Sequence, residues 1–263
     1  MQFKVGDLVT RNSYNNDLIF KITEITNNTV FLKGIDIRLY ADSSIEDLRP
    51  EEQQTQQNKD KEFIDSVNED SNLERNEFFY LPGKVLHIDG DPEYLERCMD
   101  FYKQTNIMAF GASIKESEIH TELGKYLEDL NPDIVVITGH DVYYKRQGPK
   151  NSISNYKNSG NFIKAIKVAR KYEKSHDKLV IVAGACQSDY EELIKAGANF
   201  ASSPKRINIH CLDPAIISTL VALSDRNNSI DLVRIIEKTK YKEEGIGGII
   251  TNGTMYVGYP RWI

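Results

Sequence analysis

Leu179 to Ser188 reads LVIVAGACQS, and its reading decides the fold. Leu179 to Ala183 is an apolar run short enough for a strand and apolar enough to be buried on both faces. Gly184 and Ala185 follow with almost no side chain, then Cys186. The next segment, Ser188 to Ala196, has a helical pattern, which puts Cys186 where a buried strand meets a helix N-terminus. Unpaired amides and the positive dipole end of such a helix favour a thiolate. Forty-six residues earlier, Ile134 to Asp141 (IVVITGHD) repeats the pattern, an apolar strand leading to His140. In one parallel sheet the two strands would deliver His140 and Cys186 to the same edge.

From Phe78 onward apolar strands alternate with amphipathic helices. Strands are expected at Lys84–Ile88, Asn106–Phe110, Asp133–Thr138, Leu179–Ala183 and Ile207–Leu212. Helices are expected from Pro92 through Tyr102, at Lys115–Leu130, Asn161–Tyr172, Ser188–Ala196, Ala215–Leu223 and Ser229–Tyr241. Gly197 is a natural helix C′ residue. Asn252-Gly253 predicts a hairpin in the tail. This alternation specifies an α/β fold, a mostly parallel sheet with helices on both faces. Function in such sheets collects beyond the C-terminal strand ends. His140, Cys186, Asp89, Asp91 and Asp213 are all expected there. The nineteen residues from Val142 to Gly160 form a long polar connection suited to lining a cleft.

Two other regions precede this one. Residues 1–50 carry four or five short strands with turn signals at Gly6-Asp7 and Asn27-Asn28, as expected of a small SH3-like β-barrel. Residues 51–76 are a charged linker, partly helical or disordered, whose Phe63, Ile64 and Val67 fit one weak helical face. Residues 77–263 then form the α/β domain.

The totals exclude several classes. The 263 residues carry 39 acidic against 33 basic side chains, a net charge of −6 that argues against nonspecific nucleic-acid binding. No apolar run reaches the ~20 residues of a membrane helix, and the N-terminus lacks a secretory h-region. Three cysteines without CxxC spacing point away from disulfides and zinc. No phosphate loop, GxGxxG or GxSxG is present, so no cofactor is expected.

A cysteine hydrolase needs a thiolate, an imidazole and amide donors for the oxyanion. Cys186 and His140 supply the first two, and the backbone amides of Gly139, Asp141 and Cys186 are candidates for the third. Each residue also has a plain reading, Cys186 as a small core residue and His140 as a solvated strand end. A metal site from His140, Cys186 and Asp213 lacks a regular ligand spacing. Cys98 reads as helix core. His210 and Cys211, adjacent in a strand, would face opposite ways, leaving Cys211 to the core.

A strand and histidine, some fifty residues, then a strand and Ala-Cys resemble the caspase, gingipain, legumain and clostripain group of cysteine peptidases. That resemblance implies a caspase-like sheet with a His–Cys dyad at its C-terminal edge. Two departures stand out: Asp141 follows the histidine where the group usually has glycine, and Gly184 stands where arginine- and asparagine-specific members often carry an acid. Along nearly the whole chain, VGDLVTR, PGKVLHIDGD, VITGHD, AGACQS and the AGANFASSP to INIH stretch are similar to the YabG-type sporulation peptidases. This implies a peptidase that processes spore coat or germination proteins and cleaves after arginine, in the mother-cell cytoplasm or at the spore coat. It also implies His140 as base and Cys186 as nucleophile. An arginine pocket needs an acid, and Asp89, Asp91 and Asp213 are the candidates. A turn-and-cap role for Asp89 and Asp91, a non-catalytic coat scaffold and a flavodoxin-like cysteine amidase are the competing readings.

Overall fold

The computed structural model describes residues 3–26, 29–51, 56–70, 77–146 and 148–261. They divide into two units, Met1–Lys59 and Asp60–Ile263. In the first, β1 (Leu8–Arg11), β2 (Phe20–Thr26), β3 (Thr29–Gly34), β4 (Tyr40–Ser44) and β5 (Leu48–Pro50) make one antiparallel sheet, ordered β4-β3-β2-β1-β5. Alternate residues Phe20 and Ile22 join Val9, Val30, Leu32 and Leu48 in its core, as period-2 patterning requires. The Asn27-Asn28 turn lies outside the described residues, as do 52–55 and 71–76 of the expected linker. The linker does contain a helix, α1 (Gln56–Asp70), and Phe63, Ile64 and Val67 are the residues it packs inward.

The second unit is built on a six-stranded sheet. Its elements in chain order are β6 (Phe79–Leu81), β7 (Val85–Asp89), α2 (Pro92–Gln104), β8 (Ala109–Ser113), α3 (Ile119–Leu130), β9 (Ile134–Thr138) and α4 (Ser159–Tyr172). There follow β10 (Val180–Ala183), α5 (Tyr190–Ala196), β11 (Phe200–Ser202), α6 (Asp213–Ala222), α7 (Leu232–Glu237), α8 (Lys242–Gly245), β12 (Ile246–Gly248) and β13 (Tyr256–Gly258). The sheet order is β12-β11-β10-β9-β7-β8, all neighbours parallel except β11 and β12. Order reverses between β7 and β9, the kind of switch point that opens a crevice at the strand C-termini.

The central strands are apolar throughout because both faces are covered. Val136, Val180 and Val182 face Cys98, Phe101, Tyr102 and the α6 residues Ile216 and Val221. Val135, Ile137 and Ile181 face Leu123 of α3, Ile166 of α4 and Leu193 of α5. Burying each such side chain contributes roughly 1.5–3 kcal/mol. Cys98, Cys186 and Cys211 are buried and form no disulfide.

Four expectations need correction. Ile207–Leu212 is not a strand; the fifth parallel strand is β11, in a stretch that reads as a small-residue turn. Three residues are too few for a period to show. Asp213 therefore opens α6 rather than ending a strand. The tail is not a hairpin: β12 joins the main sheet and β13 pairs with β6. Gly253 serves close packing, since a Cβ there would collide with the Ser224 backbone. Finally, α5 starts at Tyr190, so Cys186 sits in a turn before the helix and not at its first residues. A dipole effect fades within one turn, and α5 has only 7 residues.

Candidate active site

In the pairing of β9 with β10, Ile137 stands opposite Ala183. That offset is 46 residues, the same as the separation of His140 from Cys186. The two chains stay tied past the strands, because Gly184 N–H donates to Ile137 O (3.0 Å) and Thr138 Oγ1 to Gly184 O (2.9 Å). His140 and Cys186 thus each lie three residues past one paired position of adjacent parallel strands, at the C-terminal edge.

His140 is held through backbone and ring. Its N–H donates to Glu116 Oε1 (2.7 Å), and its carbonyl accepts from Asn158 Nδ2 (2.8 Å). Its Nε2 lies 3.0 Å from Asp91 Oδ2, and the Tyr94 ring packs at 5.7 Å between centroids. Gly90 and Gly139 make this arrangement possible, since a Cβ on either would run into the Glu116 carboxylate.

Cys186 is 1% exposed. Ile209 N–H donates to its Sγ at 3.3 Å, and the thiol lies 3.9 Å from the Ile209 carbonyl oxygen. Gly184, two residues before it, has φ +102, and a Cβ there would lie 2.8 Å from Leu193 Cδ1. That position is closed to an acidic residue, which explains the departure seen in the sequence.

Asp141 joins the two loops. Its Oδ1 accepts Val142 and Asn158 N–H (2.9 and 2.7 Å), and its Oδ2 accepts the Ser159 and Ser188 hydroxyls. Ser188 Oγ in turn accepts Ala185 N–H (2.9 Å). Burial pushes the Asp141 carboxyl up, and these bonds only partly offset it.

The three acids expected to read arginine are all enclosed. Asp89 is 0% exposed and accepts Asp91 N–H at 2.9 Å. Asp213, also 0% exposed, accepts His210 and Lys240 N–H, each at 3.0 Å. Asp91 caps α2, taking Glu93 and Tyr94 N–H on Oδ1. A guanidinium does find acids elsewhere, three residues past Cys186. Arg206 Nη2 donates to Asp189 Oδ1 (2.9 Å) and to Glu191, while its Nε donates to Tyr156 Oη (2.6 Å). Asp189, Glu191 and Arg206 line a cavity of about 420 Å³.

The connection from Val142 to Gly160 is not structureless. Tyr143 bridges and stacks on Tyr156, with ring centroids 5.1 Å apart, and α4 already begins at Ser159. Sequence reading missed Glu116, Ile209 and the Asp189–Arg206 pair. Only the glycines at 90 and 139 hinted at the room Glu116 needs. His210 packs on Phe63 at 5.2 Å, and Cys211 lies in the core, its carbonyl accepting Cys98 Sγ–H (3.4 Å). No cluster of potential metal ligands occurs among the described residues.

The family model described as YabG peptidase U57 matches residues 4–260. The sporulation-specific protease YabG of Bacillus subtilis (strain 168) is 38% identical over 286 aligned positions, covering 99% of each chain. From β1 to the last residues after β13, this chain belongs to the YabG peptidase U57 family.

Proposed function

We propose that the protein is a cysteine endopeptidase of sporulation, with a caspase-like catalytic unit behind an SH3-like module. It cleaves spore coat or germination proteins after arginine. The observation that carries this reading is that His140 and Cys186 each follow, three residues on, the paired Ile137 and Ala183 at the C-terminal edge of adjacent parallel strands. In the mechanism, His140 accepts the thiol proton and Cys186 Sγ attacks the scissile carbonyl. The backbone amides of Gly139, Asp141 and Cys186 receive the oxyanion. The His140 amide is already committed to Glu116. The imidazolium then protonates the leaving amine, and water, losing its proton to His140, releases the acyl group from sulfur. Because Cys186 is covered and Ile209 lies against it, the segment carrying Ile209 shifts to admit a peptide.

Arginine selectivity belongs to the same proposal. At Asp89, Asp91 or Asp213 a substrate guanidinium would have to displace existing bonds. Glu191, whose side chain is 56% exposed and lines the cavity, is the better-placed acid, able to meet a substrate guanidinium from its open side. The strand order is also that of flavodoxin-like sheets, which keeps a cysteine amidase acting on small amides as the second reading.

The test is incubation with arginine-containing coat and germination proteins. Cleavage is expected from the native enzyme and from neither Cys186→Ala nor His140→Ala. Unchanged cleavage by Cys186→Ala rules out the mechanism. Hydrolysis of small amides alone supports the amidase, and no cleavage by the native chain supports a scaffold role.

A further inference from the structure

Asp91 has two oxygens in two different employments. Oδ1 accepts Glu93 N–H at 3.0 Å and Tyr94 N–H at 3.3 Å, capping the 13-residue α2. Oδ2 lies 3.0 Å from Nε2 of His140. A cap needs only the first, and serine, threonine or asparagine would serve it as well.

The carboxylate is also unusually well fixed. Pro92 occupies the first turn of α2, where its φ is already helical. The Asp91 N–H is spoken for by Asp89 Oδ1 at 2.9 Å. The side chain is 3% exposed, and the positive end of α2 keeps it anionic. An anion facing Nε2 requires that nitrogen to carry the proton, which makes Nδ1 the acceptor in the neutral ring.

We infer that Asp91 is the positioning residue of the site: it sets the His140 tautomer and stabilises the imidazolium formed when Nδ1 takes the Cys186 proton. The inference rests on the His140–Cys186 reading above. It also moves Asp91 from the substrate pocket to the histidine. The proton moves from sulfur to Nδ1 and later to the leaving amine, while Asp91 stays ionised throughout. Glu116 and Asn158 fix the His140 backbone, so Asp91 is left to control the ring.

Asp91→Asn and Asp91→Ser test this, because both keep a cap and remove the charge. For both, kcat/KM is expected to fall by about 10²-fold or more, with Tm held within a few degrees. In the His140 ring, followed by nitrogen NMR, the neutral form should lose its preference for the proton on Nε2 in Asp91→Ser, where no carboxylate faces that nitrogen. Asp91→Ala, which removes the cap as well, should add a loss of Tm. Wild-type kcat/KM and an unchanged His140 tautomer in Asp91→Ser would overturn the inference. So would a loss of activity that follows Tm alone while the tautomer stays on Nε2. The dyad has its own control: if Cys186→Ala and His140→Ala are inactive while Asp91→Asn is not, only the role of Asp91 falls.

Discussion

Ile209 donates its backbone N–H to the sulfur of Cys186 at 3.3 Å, across 23 positions of sequence. The contact covers the sulfur, which also lies 3.9 Å from the Ile209 carbonyl oxygen. Cys98 and Cys211 are both 0% exposed and lie in the hydrophobic core. Near neutral pH, iodoacetamide is expected to label Cys186 and spare the other two in the folded protein. A polymer-linked maleimide should react with Cys186 at least ~10-fold more slowly, since access needs a local opening. Mass spectrometry of the labelled peptides decides this, and equal labelling of Cys98 would count against a distinct reactivity of Cys186.

Gly139→Ala should damage activity more than stability. Its new Cβ would lie 2.5 Å from Glu116 Oε1 and 2.8 Å from Glu116 Cγ. Glu116 is a half-buried side chain and can move aside, which costs the hydrogen bond to His140 N–H. We expect kcat/KM to fall about 10-fold or more, as misplacement of a reacting group does, with a smaller loss of Tm from the strain of a side chain at φ +158°. Glu116→Ala should give a similar loss, and the double variant no more than either alone.

Arg206→Ala should destabilise the fold by about 3–5 kcal/mol, because it leaves Asp189, 1% exposed, without its cation. The pH dependence has a definite sign. Burial pushes the Asp189 carboxyl up, and Arg206 is the main influence holding it down. Without Arg206 the native carboxyl rises further above its unfolded value, so the folded state binds the extra proton. The defect should therefore be small below about pH 4 and grow as pH rises through the raised native value. Urea midpoints across that range check it, and a pH-independent defect would contradict it.

Asp141 is predicted to be structural, tying the His140 loop to Ala185 through Ser188. Asp141→Ala should cost on the order of 3 kcal/mol by stranding two hydroxyls and two backbone amides. Asp141→Asn should cost less and flatten the pH profile. The native carboxyl is raised by burial, so its contribution to stability falls as pH rises above the unfolded carboxylate value. Thermal melts of both variants between acidic and neutral pH measure this.

The sequence by itself determined the α/β class, the buried strands and the arrival of His140 and Cys186 at one edge. Apolar runs of four or five residues that must be buried on both faces carry that information locally. The family was legible for the same reason, through long motifs around those strands. Tertiary structure decided the rest. The strand β11 is three small or aromatic residues whose strand character comes from the neighbours on either side. Asp213 changed from a strand end to a helix start when Ile207–Leu212 proved irregular. Glu116, Ile209 and Arg206 act through bonds to residues 15 to 50 positions away, and no local pattern encodes such pairings. Asp91 shows the division most clearly. Its cap could be read from Asp-Pro before a helix, but its hold on His140, 49 residues on, exists only because β7 and β9 lie side by side.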